Sequence, residues 1–180
     1  MINTNFVFIG TSLDGFIADK NGGLEWLESI PNPNQNDMGY MEFIKGMDAL
    51  IMGRNSFDTV LGFGIEWPYQ LPVYVLSNSI KTVPTELQGK VFLVSGPLSE
   101  VLNSIHSSGH HNLYIDGGKT IQNFLKEDLI DEMILTTIPV LLGGGSPLFG
   151  DLENQLDFKL VSSTIFLEHI VQRHYRRIRE

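Results

Sequence analysis

Short apolar runs alternate with amphipathic stretches along the chain, and this alternation predicts β-strands separated by helices. The first apolar run, Asn5–Ile9, reads as a strand. The same pattern predicts five further strands, at Ala49–Met52, Val73–Leu76, Val91–Val94, Leu113–Ile115 and Glu132–Leu142. The last of these is rich in apolar and β-branched residues, which is typical of a buried central strand.

Apolar residues at helical spacing predict four helices between these strands, near residues 40–47, 55–61, 97–105 and 120–125. The tail, Lys159–Ile178, predicts one or two long strands, although the spacing of Ile170, His174 and Ile178 leaves a terminal helix open. Strand–helix alternation followed by hairpin-like strands predicts an α/β protein with a three-layer α/β/α fold and a mixed, mostly parallel central sheet.

The segment from Thr11 to Asp37 interrupts this regular pattern and contains several glycines and prolines. A loop of this length in a compact domain is more often functional than idle. We therefore expect it to contribute to a binding site.

Composition limits the class of protein. The chain has 180 residues, 42% hydrophobic and 18% charged, which predicts one soluble domain over residues 1–180. The net charge of −9 argues against nucleic-acid binding, and no apolar run is long enough to span a membrane. The absence of cysteine and of a basic, apolar leader favours the cytoplasm, and the five histidines lack metal-ligand spacing, so we predict no metal site.

Two predicted strands run directly into glycine-containing turns and then into helices. One turn contains Gly53, Arg54, Asn55 and Ser56; the other contains Asp116, Gly117, Gly118, Lys119 and Thr120. A helix N-terminus presents unpaired N–H groups that hold phosphate, and glycine allows close approach of the ligand. The pair therefore predicts a site for an extended ligand with more than one phosphate, although ordinary turn glycines and helix caps remain an alternative.

A third strand ends in Ser77 and Asn78, with no acidic residue beside them. Hydroxyl, amide and cationic groups suit a 2′-phosphate, whereas a carboxylate suits an unmodified ribose. Convergence of Arg54, Asn78 and Lys119 would favour NADPH over NADH. Scattered surface cations at a polar strand end are the alternative.

Six short motifs occur in an order and spacing that resemble the dihydrofolate reductase superfamily. The resemblance is strongest to single-domain proteins similar to the reductase half of the bifunctional riboflavin-biosynthesis deaminase–reductase, and it covers essentially the whole chain. The motifs are Ser12-Leu-Asp-Gly-Phe-Ile-Ala18, Met52-Gly-Arg-Asn-Ser-Phe57, Val75-Leu-Ser77, Ile115-Asp-Gly-Gly118, Leu129-Ile-Asp-Glu132 and Pro139-Val-Leu-Leu-Gly-Gly-Gly145.

This resemblance implies a reductase that uses NADPH to transfer hydride to a pterin or a ribosylaminopyrimidine. It implies that Arg54, Asn55 and Ser56 hold phosphates, that Ser77 and Asn78 hold the adenosine end with its 2′-phosphate, and that Gly117, Gly118, Lys119 and Thr120 hold the pyrophosphate. The family's paired glycines imply a cis peptide between Gly117 and Gly118. Asp116 resembles the acidic residue before the glycine pair in the riboflavin enzymes.

The resemblance also implies that residues 14–23 close over the nicotinamide and that Thr136 touches the substrate. Hydride transfer needs one proton, for which Asp14, Asp37 and Glu42 are candidates, although solvated acids would have the same appearance. Trp26 stands in a longer insert than in dihydrofolate reductases. Dihydrofolate reductase activity and a non-catalytic NADP-binding homologue are the alternatives to this function.

The long terminal strands predict a homodimer through edge pairing.

Overall fold

The computed structural model describes residues 2–179, in which ten strands and four α-helices form. The strands are β1 (Thr4–Ser12), β2 (Phe16–Ala18), β3 (Ala49–Gly53), β4 (Val73–Leu76), β5 (Val91–Val94), β6 (Asn112–Asp116), β7 (Glu132–Ile138), β8 (Ser146–Pro147), β9 (Phe158–Phe166) and β10 (Ile170–Arg177). The helices are α1 (Tyr40–Lys45), α2 (Arg54–Gly62), α3 (Leu98–Ser107) and α4 (Gly118–Lys126), and short 3-10 turns cover Glu25–Glu28 and Thr85–Leu87.

Eight strands form one sheet in the order β5-β4-β3-β6-β1-β7-β10-β9. The first six are parallel, β10 runs antiparallel to β7, and β9 runs antiparallel to β10. The prediction of a mixed, mostly parallel sheet is confirmed. Because the parallel strands share one direction, their carboxyl ends meet at one edge, where ligands of open α/β sheets bind.

Helices cover both faces of the sheet, which confirms the three-layer arrangement. Alternation along β6 directs Leu113 and Ile115 into a core with α3 and α4, and Tyr114 into a second core on the opposite face. Phe57 of α2 and Phe43 of α1 pack in this second core. The face covered by α1 and α2 is called the tyrosine face below.

The tail forms the two strands β9 and β10, as predicted, and the helical alternative is excluded because β10 pairs with both β7 and β9. Two other predicted elements differ from the structure. The strand predicted to reach Leu142 ends at Ile138, immediately before Pro139, whose missing N–H cannot extend the ladder. The irregular segment contains β2, which pairs with β8 in a separate two-stranded sheet.

Among residues 2–179, no helix is both long enough and apolar enough to cross a membrane.

Candidate active site

The two glycine-containing turns lie side by side. β3 and β6 are neighbours, with Met52 opposite Asp116, so both strands end at the same level of the sheet. A Cβ atom on Gly117 would overlap the Ser56 hydroxyl, and one on Gly53 would lie 2.8 Å from Oγ1 of Thr120. The two turns therefore contact each other, and only glycine fits this close approach. That they hold one ligand together stays a prediction.

Both helices that leave these turns begin without a side-chain cap. Gly53 is the N-cap of α2 and Gly117 the N-cap of α4, and neither has a side chain to accept the first N–H groups. These N–H groups and the positive ends of two helix dipoles are available to an anionic ligand. Gly117 has a φ of 89°, which favours glycine. The Gly117–Gly118 peptide bond is trans, so the expectation of a cis bond is wrong.

Arg54 reaches from α2 to the carboxyl end of β4. Its NH1 group donates to the Ser79 hydroxyl at 3.1 Å, and its Nε pairs with Asp58 at 3.1 Å. The Ser77 hydroxyl accepts N–H bonds from Ser79 and Ile80. Arg54 and Ser77 thus belong to one polar cluster, in which sequence reasoning missed the role of Ser79 although it follows Ser77 closely.

The other residues proposed for the cofactor take different positions around this cluster. Asn55, Asn78 and Lys119 are exposed, and no contact within residues 2–179 joins Asn78 or Lys119 to Arg54. Thr120 is only 5% exposed and lies between the two glycine turns, so its hydroxyl packs the corner. The expected convergence of Arg54, Asn78 and Lys119 is therefore only partly formed.

Asp116 ends β6 on the tyrosine face and is partly buried. Burial raises the pKa of its carboxyl group, and hydrogen bonds from the Gly117 N–H and the Tyr114 hydroxyl oppose this shift. The Tyr114 hydroxyl donates to the Phe8 carbonyl oxygen at 2.9 Å and lies 3.4 Å from Oδ1 of Asp116. Asp116 is thus an acid with a raised pKa, beside the second glycine turn.

Three tyrosines surround this acid. Burial, followed by the negative charge of Asp116, raises the pKa of Tyr40, of Tyr69 and of Tyr114. The rings of Tyr40 and Tyr114 meet edge to face with centroids 6.5 Å apart. Sequence reasoning missed the tyrosines, because they come from α1, an irregular segment and β6, and no local pattern links them.

A cavity of about 490 Å³, within the usual size range for small-ligand sites, is lined by residues of the loop between β2 and α1. Its apolar wall consists of Leu27, Ile30 and Met38; the polar wall consists of Asn32, Gln35, Asn36 and Glu28. A Cβ on Gly10 of β1 would lie 2.8 Å from Leu27, so this wall rests directly on the sheet.

Thr136 forms part of the floor beneath this wall. It lies opposite Gly10 on β7 and is 5% exposed. The Gln172 amide of β10 donates to the Thr136 hydroxyl and to the Met38 carbonyl oxygen, both at 2.9 Å. Gln172, which the sequence did not single out, thus ties the loop to the sheet at Thr136. That Thr136 touches the substrate stays a prediction.

Asp14 connects the loop before β2 to the glycine-rich loop before β8. Its carboxylate accepts hydrogen bonds from the Ser12 hydroxyl (2.6 Å) and from the N–H groups of Leu142 (3.1 Å) and Gly143 (2.8 Å). These bonds, led by that from Ser12, lower the pKa of Asp14. A carboxylate held ionised in this way is a poor proton donor, so the contacts of Asp14 favour a structural role over proton donation.

Asp37 and Glu42 have structural contacts as well. Asp37 accepts N–H bonds from Met41 and Gly39 at the start of α1, and these bonds lower its pKa. Glu42 is 84% exposed and pairs with Lys45 on the surface of the same helix. The contacts of Asp37 therefore also favour a structural role, and Glu42 fits the alternative of a solvated surface acid.

Solved structures place this architecture among the dihydrofolate reductase-like folds. The dihydrofolate reductase of Enterococcus faecalis, complexed with NADP(H), has a TM-score of 0.66 at 17% identity, covering 97% of this chain and 96% of that one. The deaminase/5-amino-6-(5-phosphoribosylamino)uracil reductase of Thermotoga maritima has a TM-score of 0.73 at 16% identity, covering 98% of this chain and 57% of that one. At these identities the likeness shows the fold alone.

A family model described as the RibD C-terminal domain matches residues 4–171. The chain belongs to this family. A Shewanella sp. PV-4 protein, provisionally named for riboflavin biosynthesis, has a TM-score of 0.95 at 53% identity, covering 98% of this chain and 99% of that one. The uncharacterized protein YwjB of Bacillus subtilis strain 168 is 35% identical over 175 residues, covering 95% of this chain and 96% of YwjB.

Proposed function

We propose that this protein is an NADPH-dependent reductase that acts on a pyrimidine- or pterin-type heterocycle. The observation that carries the proposal is the meeting of two uncapped helix N-termini at Gly53 and Gly117, beside the Arg54 cluster. Membership of the RibD C-terminal domain family supports it, as does the reductase named among the structural neighbours.

The cleft between the two turns suits the phosphates of a dinucleotide. The N–H groups of α2 and α4 would hold the pyrophosphate, with Ser56 beside Gly117. Arg54 uses two of its five N–H donors on Asp58 and Ser79, so it can also bind a 2′-phosphate near Ser77 and Asn78. Lys119, exposed in the first turn of α4, would add positive charge.

When bound, NADPH supplies the hydride, and the chain must orient the acceptor and provide a proton. Asp116 is the proposed proton donor, because burial raises its pKa and it ends β6 beside Tyr114 and the second glycine turn. A carboxylate would repel phosphate, so this role suits Asp116 better than cofactor binding. Thr136 would orient the substrate from the floor.

The loop carrying β2 covers the second glycine turn. A Cβ on Gly118 would lie 2.6 Å from Cδ1 of Ile17 and 3.6 Å from the Pro147 carbonyl oxygen. The β2–β8 sheet therefore borders the proposed pyrophosphate site, and Asp14 fixes its position. This arrangement supports a role for the loop in excluding water from the nicotinamide.

We also propose a cytoplasmic homodimer formed through β9. This strand is the outer strand of the eight-stranded sheet and pairs with β10 alone among the described strands. Leu160, Val161 and Ile165 are 56%, 44% and 67% exposed along it. An exposed apolar edge of this kind needs protection, and pairing with a second copy supplies it.

Titration with NADPH and NADH, followed by nicotinamide fluorescence, tests the cofactor assignment. We expect saturable binding with NADPH preferred. NADPH oxidation against pterins, dihydrofolate, ribosylaminopyrimidines and simple carbonyls then tests the reaction. Turnover of dihydrofolate in preference to the others would favour dihydrofolate reductase activity, and binding without any turnover would favour a non-catalytic homologue.

A further inference from the structure

The cavity between residues 27 and 38 is lined by acidic, amide and apolar side chains and by no basic one. Among the residues that line it, Glu28 is the only charged one, and Asn32, Gln35 and Asn36 supply the other polar groups. Asp37 lies in the same loop, and hydrogen bonds to backbone N–H groups keep its pKa low, so it adds a second negative charge at neutral pH.

The basic side chains of the described chain lie outside the set of residues that line this cavity. Arg54 and Lys119 are at the glycine turns, where the proposed cofactor phosphates bind. Lys20 packs over Gly144 beside the β2–β8 sheet. Arg173 is adjacent to Gln172 in β10, but alternation directs it to the opposite face of the sheet from Thr136.

Three further basic residues form ion pairs with acidic side chains. Lys45 at the end of α1 is 69% exposed and forms an ion pair with Glu42. Arg176 pairs with Glu132 at the start of β7, and Arg177 pairs with Asp128. Because β7 starts at the edge opposite the glycine turns, these arginines lie at the far end of the strands from the cleft.

We infer that the substrate is an uncharged heterocycle without a phosphate group, unlike the phosphoribosyl compound named for the Thermotoga neighbour. This inference rests on the proposed function, since it assigns the cavity to the substrate; the lining residue Met38 is tied to Thr136 by the amide group of Gln172. A phosphate there would lose water without gaining a cationic partner, and it would meet the charges of Glu28 and Asp37. The amide groups instead suit the neutral hydrogen-bonding edge of a pyrimidine or pterin.

Calorimetric titration of the NADP⁺-loaded protein with 5-amino-6-(ribosylamino)uracil and with its 5′-phosphate tests the inference. We expect the dephosphorylated compound to bind about tenfold more tightly at low salt, with the difference shrinking as added salt screens the repulsion. Equal or tighter binding of the phosphate overturns the inference, and so does a lack of binding by both compounds.

Charge reversal at the cavity provides a second measurement. Glu28→Arg should raise the affinity ratio of the phosphorylated to the dephosphorylated compound by about tenfold. Glu100→Arg, an exposed reversal on α3 across the sheet, should leave that ratio unchanged. An unchanged ratio in Glu28→Arg contradicts the inference. NADPH binding is measured on the same preparations. If the native protein does not bind NADPH, the proposed function is wrong. If it binds NADPH but prefers the phosphorylated compound, only this inference is wrong.

Discussion

Ser56 and Gly117 are 61 residues apart in the chain and belong to different strand–helix turns, yet the Ser56 hydroxyl occupies the space where a Cβ on Gly117 would lie. The parallel pairing of β3 with β6 brings them together, because Met52 and Asp116 are register partners. The two helix N-termini can therefore act on one ligand. This contact is the structural basis of the proposed cofactor cleft.

Gly117→Ala should destabilise the protein by about 2–3 kcal/mol, through backbone strain at a φ of 89° and overlap with Ser56. Urea denaturation measures the free energy of unfolding. Gly109→Ala is the matched control, since Gly109 has a φ of 91° and open space around it; it should cost about 1 kcal/mol. Adding Ser56→Ala should recover part of the loss in Gly117→Ala, and no recovery would contradict the overlap.

Arg54→Ala should weaken NADPH binding by about tenfold and NADH binding far less, because only NADPH carries the 2′-phosphate. Fluorescence titration with both nucleotides measures the two dissociation constants. Lys126→Ala, at the opposite end of α4, removes one positive charge away from the turns and should change neither constant. Equal losses for the two nucleotides in Arg54→Ala would refute the 2′-phosphate assignment.

Asp116→Asn should lower kcat/KM by about 100-fold and leave NADPH affinity unchanged, because a general acid is lost but the phosphate site is retained. The native kcat/KM should fall as pH rises through the raised pKa of Asp116, since the proton donor is then lost. A pH–rate profile measures this limb, which Asp116→Asn should abolish. Persistence of the limb in the variant would assign the proton to another group.

Asp116 should also make stability depend on pH. Its folded pKa lies above the value in the unfolded chain, so the folded state binds this proton more tightly. Its stabilising contribution is complete below the unfolded pKa and is lost as pH rises through the folded pKa. The free energy of unfolding of Asp116→Asn, minus that of the native protein, should therefore be larger at pH 7 than at pH 4. Thermal unfolding of both proteins at the two pH values measures this difference.

Asp14→Ala should release the glycine-rich loop, because three hydrogen bonds to the carboxylate are removed. Hydrogen exchange should accelerate at the Leu142 and Gly143 amides. Asp37→Ala, which removes bonds at the start of α1, should leave those two amides unchanged. The carboxylate of Asp14 keeps these bonds to low pH, because its pKa is lowered. As pH falls through that pKa, the same two amides of the native protein should lose protection relative to unprotected amides at the same pH.

Leu160→Lys combined with Ile165→Lys should convert a dimer into a monomer, because two charges along β9 oppose pairing with a second copy. Sedimentation at micromolar concentration measures the mass. Leu141→Lys is the control, since Leu141 is 71% exposed but lies in a loop outside β9. A monomeric native protein would exclude the proposed dimer.

Local sequence was sufficient for most of the elements. The strands from Ala49, Val73 and Val91 were predicted within one residue of their observed ends, because each is a short apolar run bounded by polar or glycine residues. The helical alternative for the tail is wrong. The spacing of Ile170, His174 and Ile178 fits both a helical and a strand period, and the pairing of β10 with β7 selects the strand.

Assignment of the acids needed more than local sequence. Asp14, Asp37 and Asp116 have the same ionisable group, but N–H and hydroxyl donors surround the first two, whereas burial dominates at the third. Those surroundings come from distant segments, such as the Leu142 and Gly143 amides at Asp14. A residue's pKa depends on these neighbours, so residue type and spacing could not rank the three.

The sequence by itself determined the layered α/β fold and the two glycine turns, because hydrophobic period and turn chemistry act over a few neighbouring residues. Only the tertiary structure decided that Ser56 meets Gly117, that three tyrosines surround Asp116 and that Gln172 ties the cavity residue Met38 to Thr136. These properties are contacts between segments far apart in the chain, and the register of the sheet fixes them.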